Sequence, residues 1–138
     1  MLVCLILAGV VLGVFAWIWA PRITPARNVM ITKYSVSQAD QTIRLTGFIK
    51  SESGNSFSLV CYRGFSYEIL DNDLYVTVKM GLITPKYRFS DFRIAITLDD
   101  VGKMNSVYVK GVSKNGADRQ LIATRSAAAN ASSANTKN

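Results

Sequence analysis

The sequence predicts an all-β domain, an antiparallel β-sandwich (Ig-like) or small barrel of seven to eight strands, preceded by one N-terminal transmembrane helix. Three observations predict it. Leu2 to Ala20 is an unbroken uncharged run. The rest of the chain carries a hydrophobic period of two rather than 3.6. Turn residues recur about every 8–12 positions, the spacing of short strands in sandwiches and barrels.

The run LVCLILAGVVLGVFAWIWA holds 19 residues, eleven of them Leu, Val, Ile or Phe. A helix of that length extends about 30 Å, the thickness of a hydrocarbon core. Each large aliphatic residue near the centre contributes roughly −0.3 to −0.6 kcal/mol to insertion. Trp17 and Trp19 stand where an interfacial aromatic belt belongs, and Pro21 and Arg22 close the helix. Trp17, Trp19 and Arg22 are therefore the expected membrane-interface residues.

Retention of this segment is favoured over cleavage. A signal peptide carries a basic leader and a small-x-small cleavage site. Here no basic side chain precedes the apolar run. A cut after Ala20 would put Ile18 at the third position before it and Pro21 directly after it. Cys4 stands too early to be a lipidation cysteine. Gly9 and Gly13 have the spacing that lets two membrane helices approach, a route to a homodimer, although glycine is common in membrane helices in any case.

Residues 22–28 read as a linker, 29–125 as the β-domain and 126–138, an Ala/Ser/Asn-rich tail, as disordered. Within the domain, Ile43, Leu45, Gly47 and Ile49 alternate with Arg44, Thr46, Phe48 and Lys50. Leu74, Val76 and Val78 alternate with Tyr75, Thr77 and Lys79. Phe92, Ile94, Ile96 and Leu98 alternate with Arg93, Ala95 and Thr97, and Val107 and Val109 flank Tyr108. On a pleated strand such a pattern sends one set to a core and the other outward. The expected strands are Met30–Val36, Thr42–Ser51, Phe57–Arg63, Tyr67–Leu70, Leu74–Lys79, Phe92–Leu98, Ser106–Val112 and Gln120–Thr124. Asp71-Asn72-Asp73 and Ser113-Lys114-Asn115-Gly116 are hairpin turns by composition.

The composition excludes several chemistries. The 138-residue chain has no histidine, so it builds no Ser-His-Asp triad, histidine-ligated zinc site or histidine base. Cys4 and Cys61 lie too far apart in character to pair, and Cys61 reads as a small buried residue. Asp71 and Asp73 lack the further oxygen ligands of a calcium loop. Asp99 and Asp100, as neighbours on an extended chain, point apart and make poor acid–base partners. No phosphate-cradling glycine motif occurs. No enzyme, metal or cofactor is expected.

Charge is the remaining signal: 16 basic against 9 acidic residues, a net charge of +7. Arg22, Arg27 and Lys33 follow the apolar run, and Lys79, Lys86 and Arg88 flank the long loop Gly81–Ser90, with Arg93 just beyond. Basic residues near an anionic membrane gain about 1 kcal/mol each. Lys86, Tyr87 and Arg88 are the first candidates for partner contact. Tyr62, Arg63, Tyr67, Tyr87, Arg88 and Phe89 mix rings and cations in the manner of a nucleic-acid surface, but a sandwich usually divides such residues between core and solvent.

Phe65-Ser66-Tyr67-Glu68-Ile69, Leu74-Tyr75-Val76-Thr77-Val78 and Val107-Tyr108-Val109-Lys110-Gly111 form a series. It resembles a loose group of small secreted or membrane-anchored proteins of Gram-positive bacteria, over roughly Val29 to Ile122. The resemblance implies an all-β extracytoplasmic domain of undefined function and transfers no site residues. This chain departs from the group's usual form by lacking a basic leader and a lipidation cysteine.

The expected protein is thus a single-pass membrane protein with an extracytoplasmic domain that binds or contacts the cell envelope without catalysis. Its expected partners are the bilayer, through residues 2–20, and an anionic lipid or envelope polymer. The alternative faces the cytoplasm and binds anionic lipid or nucleic acid, as the positive-inside rule would have it for a helix followed by Arg22, Arg27 and Lys33.

Overall fold

The computed structural model describes residues 2–51 and 59–125. The expected turn Glu52-Ser53-Gly54-Asn55 and the tail 126–138 lie outside the described residues. The chain begins with helix α1 (Leu2–Trp19) and continues through strands β1 (Arg22–Ile23), β2 (Val29–Ser37), β3 (Thr42–Ile49) and β4 (Val60–Leu70). Strands β5 (Asp73–Leu82), β6 (Asp91–Thr97), β7 (Ser106–Ser113) and β8 (Gly116–Thr124) complete it, with short 3-10 turns at Ala26–Asn28 and Val101–Lys103.

α1 carries no charge, and its large side chains stand exposed from Val3 to Trp19, Leu12 and Trp17 among them. Among the described residues no helix is long and apolar enough to cross a membrane. The 18 residues of α1 measure about 27 Å, somewhat less than a hydrocarbon core of about 30 Å. The expected span of residues 2–20 is therefore met by an apolar helix, but not by one of full membrane length.

The β-domain has two sheets. β2, β3 and β6 form one, with β3 central and all pairings antiparallel. β5 organises the other: β4 pairs along one edge, while the opposite edge is shared by β7 over Asp73–Thr77 and β1 over Lys79–Met80. β8 pairs outside β7. The alternating residues read from the sequence are the ones buried: Ile43, Leu45 and Ile49 from β3, Phe92, Ile94 and Ile96 from β6, Leu74, Val76 and Val78 from β5, and Val107 and Val109 from β7. They form one cluster contributed by both sheets, so apolar burial between the sheets holds them together.

Three expectations need correction. The strands are not all antiparallel, because β5 and β7 run parallel, and they do not close into a barrel. The cause is the path: after β5 the chain crosses to the other sheet for β6 and returns, so β7 enters beside β5 from the same end. A parallel pair requires such a crossover, which local alternation does not reveal. The two strands expected at Phe57–Arg63 and Tyr67–Leu70 form one strand, β4, over its described length. A bulge at Tyr62/Gly64, with Gly64 at φ 132°, breaks its alternation and made it read as two.

The third correction concerns residues 22–28, expected as a linker. β1 pairs with β5, and Thr24, Ala26 and Asn28 are buried. The Thr24 amide donates to Val78 O (2.9 Å), the Ala26 amide to Asp118 Oδ1 (3.2 Å), and Asn28 O accepts from the Lys50 amide (2.7 Å). Gly111 allows the approach: a Cβ there would lie 2.5 Å from Thr24 O and against the Ala26 nitrogen. Hairpins close as their residues suggest. Asp71 and Asn72, at φ 53° and 65°, make the two-residue connection between β4 and β5.

Gly111→Ala should therefore cost about 1–3 kcal/mol in urea denaturation. It should also raise hydrogen exchange at the Thr24 and Ala26 amides before the core opens. Unchanged exchange at these two amides would mean that the segment is not seated as described.

Candidate functional site

The strand registers sort the connections into two poles. At one pole Arg22 pairs opposite Met80, and Val60 opposite Leu82. Ile18, near the end of α1, and Ala20, just past it, line a shared open groove with Arg22, Val60, Met80, Gly81 and Leu82. The loop after β5 lies here too, tied in by Ile83 N to Leu59 O (3.0 Å), Tyr62 N to Phe89 O (3.0 Å) and Ile49 N to Ser90 O (3.1 Å). At the far pole Asn105 N donates to Asn72 O and Leu98 N to Gln41 O, both at 2.8 Å. The β2–β3 and β4–β5 turns and the 98–105 connection meet there.

Charge follows the poles. Asp40, Asp71, Asp73, Asp99 and Asp100 belong to the far pole, with Arg44, Lys103 and Arg125 beside them. Asp40 pairs with Arg44 and Asp100 with Lys103, each at 3.4 Å, and Asp100 also caps the Gly102 amide at 2.9 Å. The pole beside α1 carries Arg22, Arg27, Lys50, Lys79, Lys86 and Arg88, with Asp91 and Asp118 as its nearby described acids. The described domain is thus charged unevenly along its long direction, positive where the helix ends.

The loop is a built feature rather than a loose one. Thr84 and Tyr87 exchange backbone hydrogen bonds (2.8 and 3.1 Å), and Thr84 Oγ1 accepts a further bond from the Tyr87 amide (3.1 Å). Two cations lie near the Tyr87 ring: Arg63 Cζ at 4.4 Å from its centre and Lys86 Nζ at 5.4 Å. Such contacts are worth about 0.5–1 kcal/mol each at exposed sites. Arg63, expected only as one member of the mixed ring-and-cation series, is the residue that meets the loop. It sits at the β4 bulge, lies against Gly81, where a Cβ would meet its Nε at 2.7 Å, and donates to Leu82 O at 3.0 Å. Its buried Nε has no hydrogen-bond partner among the described residues. Only the bulge glycine hinted at this placement.

Of the expected contact residues, Lys86 and Tyr87 are brought together with Arg63, whereas Arg88 turns back so that its Nε donates to Pro85 O at 3.1 Å. Around them stand exposed apolar side chains: Phe89 is 75% exposed, Leu59 70%, and Leu82 and Ile83 are exposed as well. Trp17, Trp19 and Arg22 cluster at the helix end, with the Arg22 guanidinium 5.0 Å from the Trp17 ring. Beyond the backbone of α1 itself and the adjoining residues, nothing among the described residues stands within 4 Å of a Cβ built at Gly9 or Gly13.

The mixed ring-and-cation series does not form one stacking surface. Tyr62 packs toward the core on Phe92, ring centres 5.5 Å apart, while Tyr87 packs under Arg63. Cys61 is buried, with its Sγ 3.4 Å from the carbonyl oxygens of Gly81 and Leu82. A second groove, at the far pole, runs between β2 and the β7–β8 pair and is lined by Tyr34, Ile43, Val101, Met104 and Val107. It gathers no paired carboxylates and no nucleophile with a base. Burial raises the Tyr34 and Tyr62 hydroxyls above the ordinary tyrosine value of 10.0. No family model, no curated protein and no solved structure matches this chain.

Two outcomes follow from this geometry. Arg63→Ala should speed tryptic cleavage after Lys86 and Arg88 by about twofold to fivefold, because the loop loses its cation–ring contact. Equal rates would mean that Arg63 does not hold the loop. For the tyrosines, the folded state keeps its phenol protons at a pH where the unfolded chain has begun to lose them. Their contribution to stability is complete below the ordinary tyrosine pKa and is lost as pH rises through the raised folded values. Denaturation midpoints should fall above pH 10.0, and less steeply in Tyr34→Phe/Tyr62→Phe. An unaltered alkaline slope in that double variant would contradict the assignment.

Proposed function

We propose that this chain is a single-pass membrane-anchored β-domain with a binding role at the cell envelope and no catalytic activity. The observation that carries the reading is α1: an uncharged, apolar rod whose large side chains no other part of the described chain covers. Burying one such side chain is worth about 1.5–3 kcal/mol. The ten Val, Leu, Ile and Phe side chains exposed from Val3 to Ile18 would be a heavy cost in water, and lipid removes it. The helix is a few ångströms shorter than an average hydrocarbon core. Local thinning of the bilayer and snorkelling of flanking residues accommodate such a mismatch at modest cost. Trp17, Trp19 and Arg22 are the flanking residues suited to it.

The β-domain's outward placement rests on its all-β character and on the resemblance to anchored extracytoplasmic proteins. One observation favours the opposite orientation: the cations gathered where α1 ends, Arg22 and Arg27 foremost, are the ones the positive-inside rule would hold in the cytoplasm. In that second reading the domain binds anionic lipid or nucleic acid from within.

Two measurements test this. The full chain should sediment with membranes after alkaline carbonate washing and be released by detergent. Val10→Arg, which adds about 2.5–3.5 kcal/mol to insertion, should shift part of it out of the membrane fraction. Wild-type protein in the wash would reject the anchor. Asp99→Cys, at the pole away from α1, in a Cys4→Ser background should react with an impermeant thiol reagent on intact cells. Labelling only after lysis would favour the cytoplasmic reading.

A further inference from the structure

We infer that the loop Ile83–Phe89 is a second membrane contact, resting on the bilayer beside α1 and gripping anionic phospholipid headgroups. The inference builds on the anchor reading and adds a surface, a lipid class and an orientation to it. Three independent features of the loop support it. First, its place is fixed: Ile18 and Ala20 share a groove with Val60 and Leu82, so the strands leading into the loop adjoin the end of the helix. A bilayer that holds α1 must come close to whatever stands at that end.

Second, the loop's composition suits the interface. Leu82, Ile83 and Phe89 are exposed although a core lies within reach of their strands, and Lys86 and Arg88 stand exposed between them. Apolar tips bury in the acyl boundary while adjacent cations stay at headgroup level, the arrangement of interfacial binding. Third, the shape is set in advance. The Thr84–Tyr87 backbone pair and the Arg63–Tyr87 contact hold the turn, so ordering it on lipid costs little entropy.

The separation of charge selects the lipid. A surface of anionic headgroups attracts the cationic pole and repels the Asp40, Asp71, Asp99 and Asp100 pole, so the domain stands on one end. Each basic residue near such a surface shifts the balance about fivefold at low salt, and the effect decays within a Debye length. A zwitterionic surface offers the apolar contact without this attraction.

The test uses the full chain in vesicles of phosphatidylcholine, with or without phosphatidylglycerol, containing a headgroup-level nitroxide lipid as quencher. An environment-sensitive probe is placed at Pro85→Cys, at the loop tip, or at Asp99→Cys, at the far pole, each in a Cys4→Ser background. The Pro85 probe should be quenched, more strongly with phosphatidylglycerol and less in high salt, and the Asp99 probe should not. Lys86→Gln/Arg88→Gln should lower the docked-to-undocked ratio roughly 20-fold or more in anionic vesicles, while the chain still floats with the lipid. Equal quenching at the two positions in a chain that floats would overturn the loop contact and leave the anchor standing. Quenching indifferent to phosphatidylglycerol would overturn the anionic lipid. Failure of the chain to float would overturn the anchor and the contact together.

Discussion

The seating of residues 22–28 is the constraint on which the arrangement depends. Hydrogen bonds to Val78 of β5, to the Asp118 carboxylate of β8 and from the Lys50 amide just past β3 hold this short segment, and the missing Cβ of Gly111 lets it lie close on β7. Were it a free linker, the direction of α1 would say nothing about the domain. Because it is seated, α1 ends near Val60 and Leu82, with which Ile18 and Ala20 share a groove, and a chemical property of one becomes a position for the other.

That corner gives meaning to the charge distribution. The net charge of +7 alone is an argument about solubility or non-specific attraction. Divided between poles, it becomes directional: carboxylates at the β2–β3 and β4–β5 turns, cations where the helix enters. The core between the two sheets supplies the rigidity. Its side chains are packed from β3 and β6 on one side and β5 and β7 on the other, so the poles hold their separation as one body. The proposed binding role draws on surface and orientation. The far groove, with its Tyr34 and Met104 lining, gathers none of the paired groups that catalysis uses.

Much of this was legible in the residues. The period-two runs at Ile43–Ile49, Leu74–Val78, Phe92–Leu98 and Val107–Val109 named the inner faces, because half-buried strands must alternate. The Asp-Asn and Asn-Gly turns named two hairpins. The sheet pairing was not legible: β6 alternates identically whichever sheet it joins, so the parallel β5–β7 contact depends on a crossover that no local pattern encodes. The seating of Thr24 and Ala26 was hidden for a related reason, since Arg22–Asn28 has the composition of a linker and becomes structural only beside Gly111. At the site, Lys86 and Tyr87 could be picked out as a ring beside a cation. Arg63 could be named in a ring-and-cation series but not placed on Tyr87, because a bulge around Gly64 sets its direction. The nearness of the loop to α1 is a long-range fact of the fold.

Both tryptophans of the chain, Trp17 and Trp19, lie at the end of α1, so intrinsic indole fluorescence reports on that one place. The most direct measurement is the emission of the full chain in bilayers containing lipids brominated at graded depths. The account predicts blue-shifted emission, quenched most by bromines near the headgroup end of the acyl chain. Emission at the wavelength of water-exposed indole, unaffected by bromine at any depth, would contradict it.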